Sequence, residues 1–278
     1  MATLQSLRKR LKSVNSTKEL THAMRTVATA KYSKVSAARD AFEDFYLECE
    51  SVASSIDFND MFTPEKNDAA KNCYVLLTAN KGFCGAFNAE VSRFFEAEIK
   101  NEGTLPLIIS LGKKGQSFLS SRKIGFESFD LSDIPTYEEA AALKNRLLDL
   151  YLKGEVRNVY IIYQEYINML TQTPLKRQFL PRPARKKLSE DGELVFLPDK
   201  DAIKAPLSDL LLTSEIYEIL LDSAAGTQGA TIVAMKSASE NAEKTSEKLE
   251  TIINRRRQAE VTNSVIETSS AAAAQGEW

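Results

Sequence analysis

Every proline in this chain lies between Pro64 and Pro206, and no glycine precedes Gly82. Inside a helix a proline costs about 3 kcal/mol and a glycine about 1 kcal/mol relative to alanine. Residues 1–63 are free of both, and residues 207–278 carry only Gly226, Gly229 and Gly276. Both ends of the chain can therefore form long helices, while the stretch 70–206 is punctuated like an ordinary domain.

The apolar spacing agrees. Leu4, Leu7, Leu11 and Val14 alternate by three and four, as do Val35, Ala38, Phe42, Phe45, Cys49, Val52 and Ile56. This is the 3.5-residue seam of a coiled coil. Between the runs the seam is expected to shift through Leu20, Met24, Val27 and Ala28, with a local change of winding. A second stripe starts at Ile216, Leu220 and Ala224. It continues through Thr231, Ala234, Ala238, Thr245, Leu249, Ile252, Ala259 and Ile266. Helices over 3–57 and 209–268 reach roughly 80 and 90 Å at 1.5 Å per residue. A domain of about 140 residues has a radius of gyration near 14 Å. The helices are thus expected to project and to pair with each other.

Between them, strands are predicted at Cys73–Ala79, Leu107–Leu111, Gly125–Asp130, Arg157–Ile167 and Leu175–Leu180. Helices are predicted at Asn88–Lys100, Lys113–Arg122 and Tyr137–Lys153, and a polar connector at 181–206. Strand–helix alternation implies an α/β layer with a partly parallel, Rossmann-like sheet. The predicted organisation is an N-terminal coiled-coil helix (1–60), the α/β domain with its connector (70–206) and a C-terminal coiled-coil helix (207–278). The two long helices are expected to form an antiparallel coiled coil with the α/β domain inserted between them.

A chain 43% hydrophobic and 27% charged reads as soluble and folded rather than disordered. It has no run of about 18 apolar residues that could span a bilayer. Its 36 basic and 38 acidic residues exert no global pull on nucleic acid. Locally, nine basic residues stand against two acidic ones in the first 40 positions, and the sign then reverses. Such a basic helix suits a solvated face, a nucleic acid, an anionic lipid or an acidic protein partner. Cys49, Cys73 and Cys84 make no disulfide framework, and one histidine without a cysteine cluster gives no structural zinc. Neither a metal nor a cofactor is expected.

Two segments invite a phosphate-loop reading, Lys81-Gly82-Phe83-Cys84-Gly85 and Gly112-Lys113-Lys114-Gly115-Gln116-Ser117. Neither matches a nucleotide fingerprint, so both read as strand-to-helix turns. Cys84 lacks a histidine nearby in sequence, the lone one being His22, and no convergent set of acid, base and nucleophile is present. No catalytic residue is assigned.

Four stretches in order resemble the gamma subunit of F-type ATP synthases and together span nearly the whole chain. They are Arg10–Lys31 (RLKSVNSTKELTHAMRTVATAK), Gly82–Asn88 (GFCGAFN), Tyr160–Pro181, and Ala234–Thr262 (AMKSASENAEKTSEKLETIINRRRQAEVT). The resemblance implies a central rotor shaft, itself non-catalytic, in a proton-translocating complex that makes ATP. The implied partners are a ring of alpha and beta subunits, an epsilon-type subunit and the membrane c-ring, with no nucleic acid. Carried over by motif, Met24, Arg257, Gln258 and Thr262 are the implied contacts with the ring. The chain would be peripheral to the cytoplasmic face of a bacterial inner membrane, because it begins at Met without a transit segment. The alternative is the matrix side of the mitochondrial inner membrane. The sequence departs from the family at Asn80-Lys81, where an Asp-Arg pair is usual, at Ala225–Thr231, and in its tail. Gly226 and Gly229 are expected to soften the helix. The competing function is a free-standing coiled-coil scaffold or nucleic-acid-binding protein with an α/β head.

Overall fold

The computed structural model describes residues 3–54, 56, 70–100, 102–103, 105–182, 199–274 and 276. The order is α1 (Leu4–Ser54), β1 (Lys71–Leu77), α2 (Phe87–Lys100), β2 (Leu107–Leu111), α3 (Lys113–Ser121), β3 (Glu127–Phe129), α4 (Tyr137–Leu152), β4 (Val156–Tyr166), β5 (Gln172–Leu180) and α5 (Lys200–Ala274). The chain divides into two compact units, Ala28–Val233, and Met1–Val27 with Ala234–Trp278.

In the first unit five strands form one sheet in the order β3-β2-β1-β4-β5. β1 pairs in parallel with β2 and β4, β2 pairs in parallel with β3, and β5 runs antiparallel to β4. The Cys73–Leu77 run is buried throughout, as a central parallel strand covered on both faces must be. β5 begins three residues before the expected Leu175 and includes Pro174, which an edge strand tolerates. Val91 and Phe95 of α2 and Leu119 of α3 cover one face of the sheet. The other is covered by α4, through Leu143 and Leu147, and by α5, through Leu212, Ile216 and Ile219. Thr136 caps α4, and Glu139 completes a reciprocal capping box.

α5 is buried nearly all round in this unit because it has two neighbours. While Leu212, Ile216 and Ile219 join the core of the sheet, other positions of the helix meet α1. Leu211 packs with Tyr46, Cys49 and Ala53, and Leu221 and Ala225 pack with Val35. The α1 stripe here differs from the expected one, since Phe45 is 44% exposed and Tyr46 and Ala53 take the inner positions. Phe42, Cys49 and Ile56 keep their expected places, and Tyr46 and Ala53 turn in beside them because Leu211 of α5 packs there and Arg177 of β5 reaches the Tyr46 hydroxyl.

α5 begins at Lys200, before Pro206 rather than after it, because the Asp199 side chain accepts the Ala202 N–H at 2.8 Å and caps the helix. The connector expected over 181–206 lies largely outside the described residues. Gly226 and Gly229 sit within α5, at two places where other elements approach it closely. A Cβ on Gly226 would lie 3.1 Å from the Phe87 ring, and one on Gly229 would lie 3.3 Å from the Met169 carbonyl oxygen.

In the second unit α1 and α5 run antiparallel. Ser246 Oγ donates to Asn15 Oδ1 at 2.8 Å, and Lys18 Nζ donates to Glu243 Oε1 at 2.7 Å. The expected seam shift is absent. Leu20 and Val27 are 59% and 57% exposed, and the three-and-four spacing instead continues from Val14 through half-buried Lys18 and buried Thr21. On α5 the seam runs through Met235, Ser246, Leu249 and Ile253, whereas Ile252, Ala259 and Ile266 are exposed.

Candidate functional site

The first candidate surface is the far part of α5. Carried along both helices, the antiparallel register sets Leu4, the first residue of α1, opposite Arg257. Residues 258–274 then continue for about 25 Å with no α1 beside them. All of residues 257–271 are exposed, including Val261, Val265 and Ile266. An isolated helix of this length is marginal in water, and exposed apolar residues gathered on one element mark an interaction surface.

Three of the four site residues expected from sequence lie at the start of this stretch. Arg257, Gln258 and Thr262 are exposed, and Thr262 Oγ1 donates to the Gln258 carbonyl at 2.9 Å. Met24 is half-buried, and the register sets it opposite Ser237, about 30 Å along α5 from Arg257. The four thus form two places rather than one. The polar seam residues Lys18 and Ser246, with their exposed partners Glu243 and Asn15, escaped sequence reasoning, because apolar periodicity passes over polar side chains. The spacing of Lys18 and Thr21, four and seven residues after Val14, was the available signal.

The second candidate is the carboxyl end of the sheet, where open α/β folds bind ligands. Here the donors are already used. Lys113 N–H donates to Asn80 Oδ1 at 3.3 Å, Lys114 N–H to the Ala79 carbonyl at 3.2 Å, and Gly115 N–H to Thr78 Oγ1 at 2.8 Å. The first turn of α3 is therefore capped by the turn after β1 and offers no cradle to a phosphate. Gly112 has φ +85°, and a Cβ there would lie 2.0 Å from the Thr78 carbonyl oxygen. Asn88 accepts the Ala79 N–H at 2.9 Å and directs its amide at Cys84 Sγ, 3.0 Å away. Burial pushes the Cys84 thiol up, the opposite of an activated nucleophile. Both glycine segments are structural turns.

The same end of the sheet is tied to α1 by charge. Asp133 pairs with Lys31 of α1 and, at 3.1 Å, with Lys81. The hydrogen bond from Lys31, reinforced by Lys81, holds the Asp133 carboxyl down at about 2. Asn80 Nδ2 donates to the Leu131 carbonyl at 2.6 Å in the same loop. The Asn80-Lys81 pair thus retains an ionic tie, with Lys81 as its cation.

A second ionic cluster joins three elements. Arg177 of β5 lies 2.8 Å from Glu218 and 3.1 Å from Glu215 of α5, and donates to Tyr46 Oη of α1 at 3.0 Å. Arg182 lies 3.3 Å from Glu50 of α1 and 3.7 Å from Glu215. Arg39 of α1 lies 2.6 Å from Asp222 of α5. Burial pushes the Glu218 carboxyl up, against the pull of Arg177. Glu215 is 1% exposed, and removing one partner of such a buried pair leaves a charge uncompensated, at a cost of about 3–5 kcal/mol.

Among the described residues no cluster of histidine, cysteine and carboxylates could hold a metal, and no helix is long and apolar enough to cross a membrane.

The sequence profile of the family described as ATP synthase matches residues 3–274. An ATP synthase gamma chain from Desulforamulus reducens is 32% identical, covering 99% of this chain and 99% of its own length. One from Moorella thermoacetica is 30% identical, covering 96% and 97%. Among solved structures, a chain in the OSCP/F1/c-ring part of the Euglena gracilis mitochondrial ATP synthase has a TM-score of 0.71 at 18% identity, covering 98% of this chain and 94% of its own. A chain from the central stalk and c-ring of the Tetrahymena thermophila enzyme has a TM-score of 0.61 at 21% identity, covering 79% and 99%. At these identities the structural likeness is one of fold.

Proposed function

The chain belongs to the ATP synthase gamma-chain family, and from that premise we infer that it is the central rotor shaft of a proton-translocating F-type ATP synthase. In this reading it carries torque from a membrane ring to a hexamer of alpha and beta subunits. An asymmetric shaft stabilises different states of successive beta subunits because its contacts with each differ. The chain forms no bond with ATP and supplies no reacting group. Catalysis belongs to the complex.

The observation that carries the reading is the run 258–271 of α5, a helix left without α1 beside it and exposed throughout. Such a segment needs a sheath, and an alpha–beta ring supplies one. Arg257, Gln258 and Thr262 would contact that ring at one level and Met24 at another. The guanidinium of Arg257 suits a carboxylate or carbonyl partner, and Gln258 adds a hydrogen bond. The division into helix 1–60, α/β domain 70–206 and helix 207–278 would separate ring contact from the foot. The foot would meet the epsilon-type subunit and the c-ring. The chain would be peripheral through the complex, on the cytoplasmic face of a bacterial inner membrane or, alternatively, the mitochondrial matrix side. The scaffold or nucleic-acid reading is not favoured, because relatives that match end to end are gamma chains.

The test is a mild-detergent pull-down of the tagged chain from its native membranes with subunit counting and an ATPase assay. About three alpha and three beta chains per tagged chain are expected, with ATP hydrolysis. Recovery of the chain alone, or with nucleic acid, would overturn the reading. In the recovered complex, Arg257→Ala with Gln258→Ala is expected to lower turnover or pumping. Unchanged values would remove those two residues from the contact.

A further inference from the structure

Among the described residues, ionic ties hold α1 within the α/β unit at Lys31, at Arg39 and at the Tyr46/Glu50 pair. The last of these engages β5 and α5 together. Apolar packing between Leu211 of α5 and Tyr46, Cys49 and Ala53 of α1 holds the helices close, but burial of apolar surface has no direction. It opposes separation more than sliding. A guanidinium is a planar fork whose donors have fixed directions. Arg177 directs that fork at Glu215 and Glu218 on α5 and Tyr46 on α1, from a side chain only 19% exposed. A slip of either helix by one residue, about 1.5 Å along its axis, breaks at least one of these contacts. Arg182 donates to Glu50 of α1 at 3.3 Å and lies 3.7 Å from Glu215, a purely charge–charge approach that adds no second fork.

We propose that Arg177 is a positioning residue for torque transmission, the clasp that locks α1 and α5 in register with the sheet edge so that rotation of the α/β unit turns both helices together. The proposal rests on the rotor-shaft reading. It concerns stiffness in addition to stability: the large apolar cores on the two faces of the sheet do not depend on the fork, whereas full removal of the guanidinium also leaves the buried Glu215 charge uncompensated. Loss of the fork should therefore leave the helices packed but able to creep under load.

The test uses the whole complex, isolated from native membranes, with Arg177→Lys, Arg177→Met and Glu218→Gln. The readouts are subunit composition, ATP hydrolysis by the detached catalytic sector, ATP-driven proton pumping in vesicles, and torsional fluctuation of a bead attached to the α/β unit. The proposal expects normal composition and hydrolysis in the two mild variants, Arg177→Lys and Glu218→Gln. Pumping per ATP is expected to fall roughly two- to ten-fold, with broader bead fluctuation and the largest loss in Arg177→Met. A merely structural role would lower the amount of complex without changing pumping per ATP, and that result would overturn the clasp. Should Arg177→Met fail to assemble, the mild variants decide. An unchanged pumping ratio and unchanged fluctuation in both overturn the clasp while leaving the shaft intact. A wild-type chain recovered without alpha and beta subunits overturns the shaft reading itself.

Discussion

Gly226 of α5 faces Phe87 of α2 so closely that a methyl group on its Cα would lie 3.1 Å from the ring, with Gln172 Cγ 3.2 Å away. Phe87 is 3% exposed and has little room to retreat. Gly226→Ala gains about 1 kcal/mol of helix propensity and loses about 1 kcal/mol to crowding, since contacts of 3.1 and 3.2 Å ask the neighbours to give by only a few tenths of an ångström, so unfolding in urea should shift little. Gly226→Leu has no such balance and should lose about 2–3 kcal/mol. Equal midpoints for alanine and leucine variants would mean that the helix stands farther from α2.

Gly112 is the stricter case. Its φ of +85° is left-handed, and a Cβ would lie 2.0 Å from the Thr78 carbonyl oxygen. Gly112→Ala should therefore destabilise the protein by about 3 kcal/mol or more. It should also expose the Gly115 and Lys114 amides to hydrogen exchange, because Thr78 and Ala79 are their acceptors. Wild-type exchange at those amides would refute the assignment.

Asp133 sets a pH dependence. Its carboxyl is held at about 2, below an ordinary value of 3.8, chiefly by Lys31. A depressed acid contributes stability that is complete above its unfolded pKa and is lost as pH falls through its folded one. Allowing for solvent screening, the contribution is about 1 kcal/mol. Asp133→Asn should be less stable than wild type at pH 6, and the gap should close between about pH 4 and pH 2. A gap that persists unchanged at pH 2 would assign the effect to packing.

Lys18 occupies a seam position between Val14 and Thr21, and its ion pair with Glu243 is solvent-exposed. Exposed pairs contribute less than about 1 kcal/mol, whereas burying leucine in a seam contributes about 1.5–3 kcal/mol. Lys18→Leu should raise the thermal midpoint of the full chain. A lower midpoint would show that the polar seam is needed to hold the register of the two helices.

Hydrogen exchange offers a test of the sheath. In the isolated chain, amides of residues 258–274 should exchange fastest within α5, since a helix of about 17 residues without tertiary packing opens readily. In the assembled complex they should become protected. Equal exchange in both states would mean that this stretch is not enclosed.

The long helices and the succession of strands and helices between them were legible in the amino-acid sequence, because they follow from local chemistry. Proline and glycine exclude helix locally, and β1 announces its burial through a continuous apolar run. What escaped was decided by neighbours far apart in the chain. Lys18 and Thr21 belong to the seam only because α5 lies across from them. Phe45 turns outward because its neighbour Tyr46 meets Leu211 of α5 and Arg177 of β5. Gly226 looked like a weak point in a helix and proved to be the place where α2 approaches it. Arg177 belongs to no motif and to no apolar period, and its fork exists only where β5, α1 and α5 meet. Backbone propensity and apolar spacing act over a few residues and can be read from the chain, but the partner of a charge, and the room beside a glycine, exist only once distant segments have packed together.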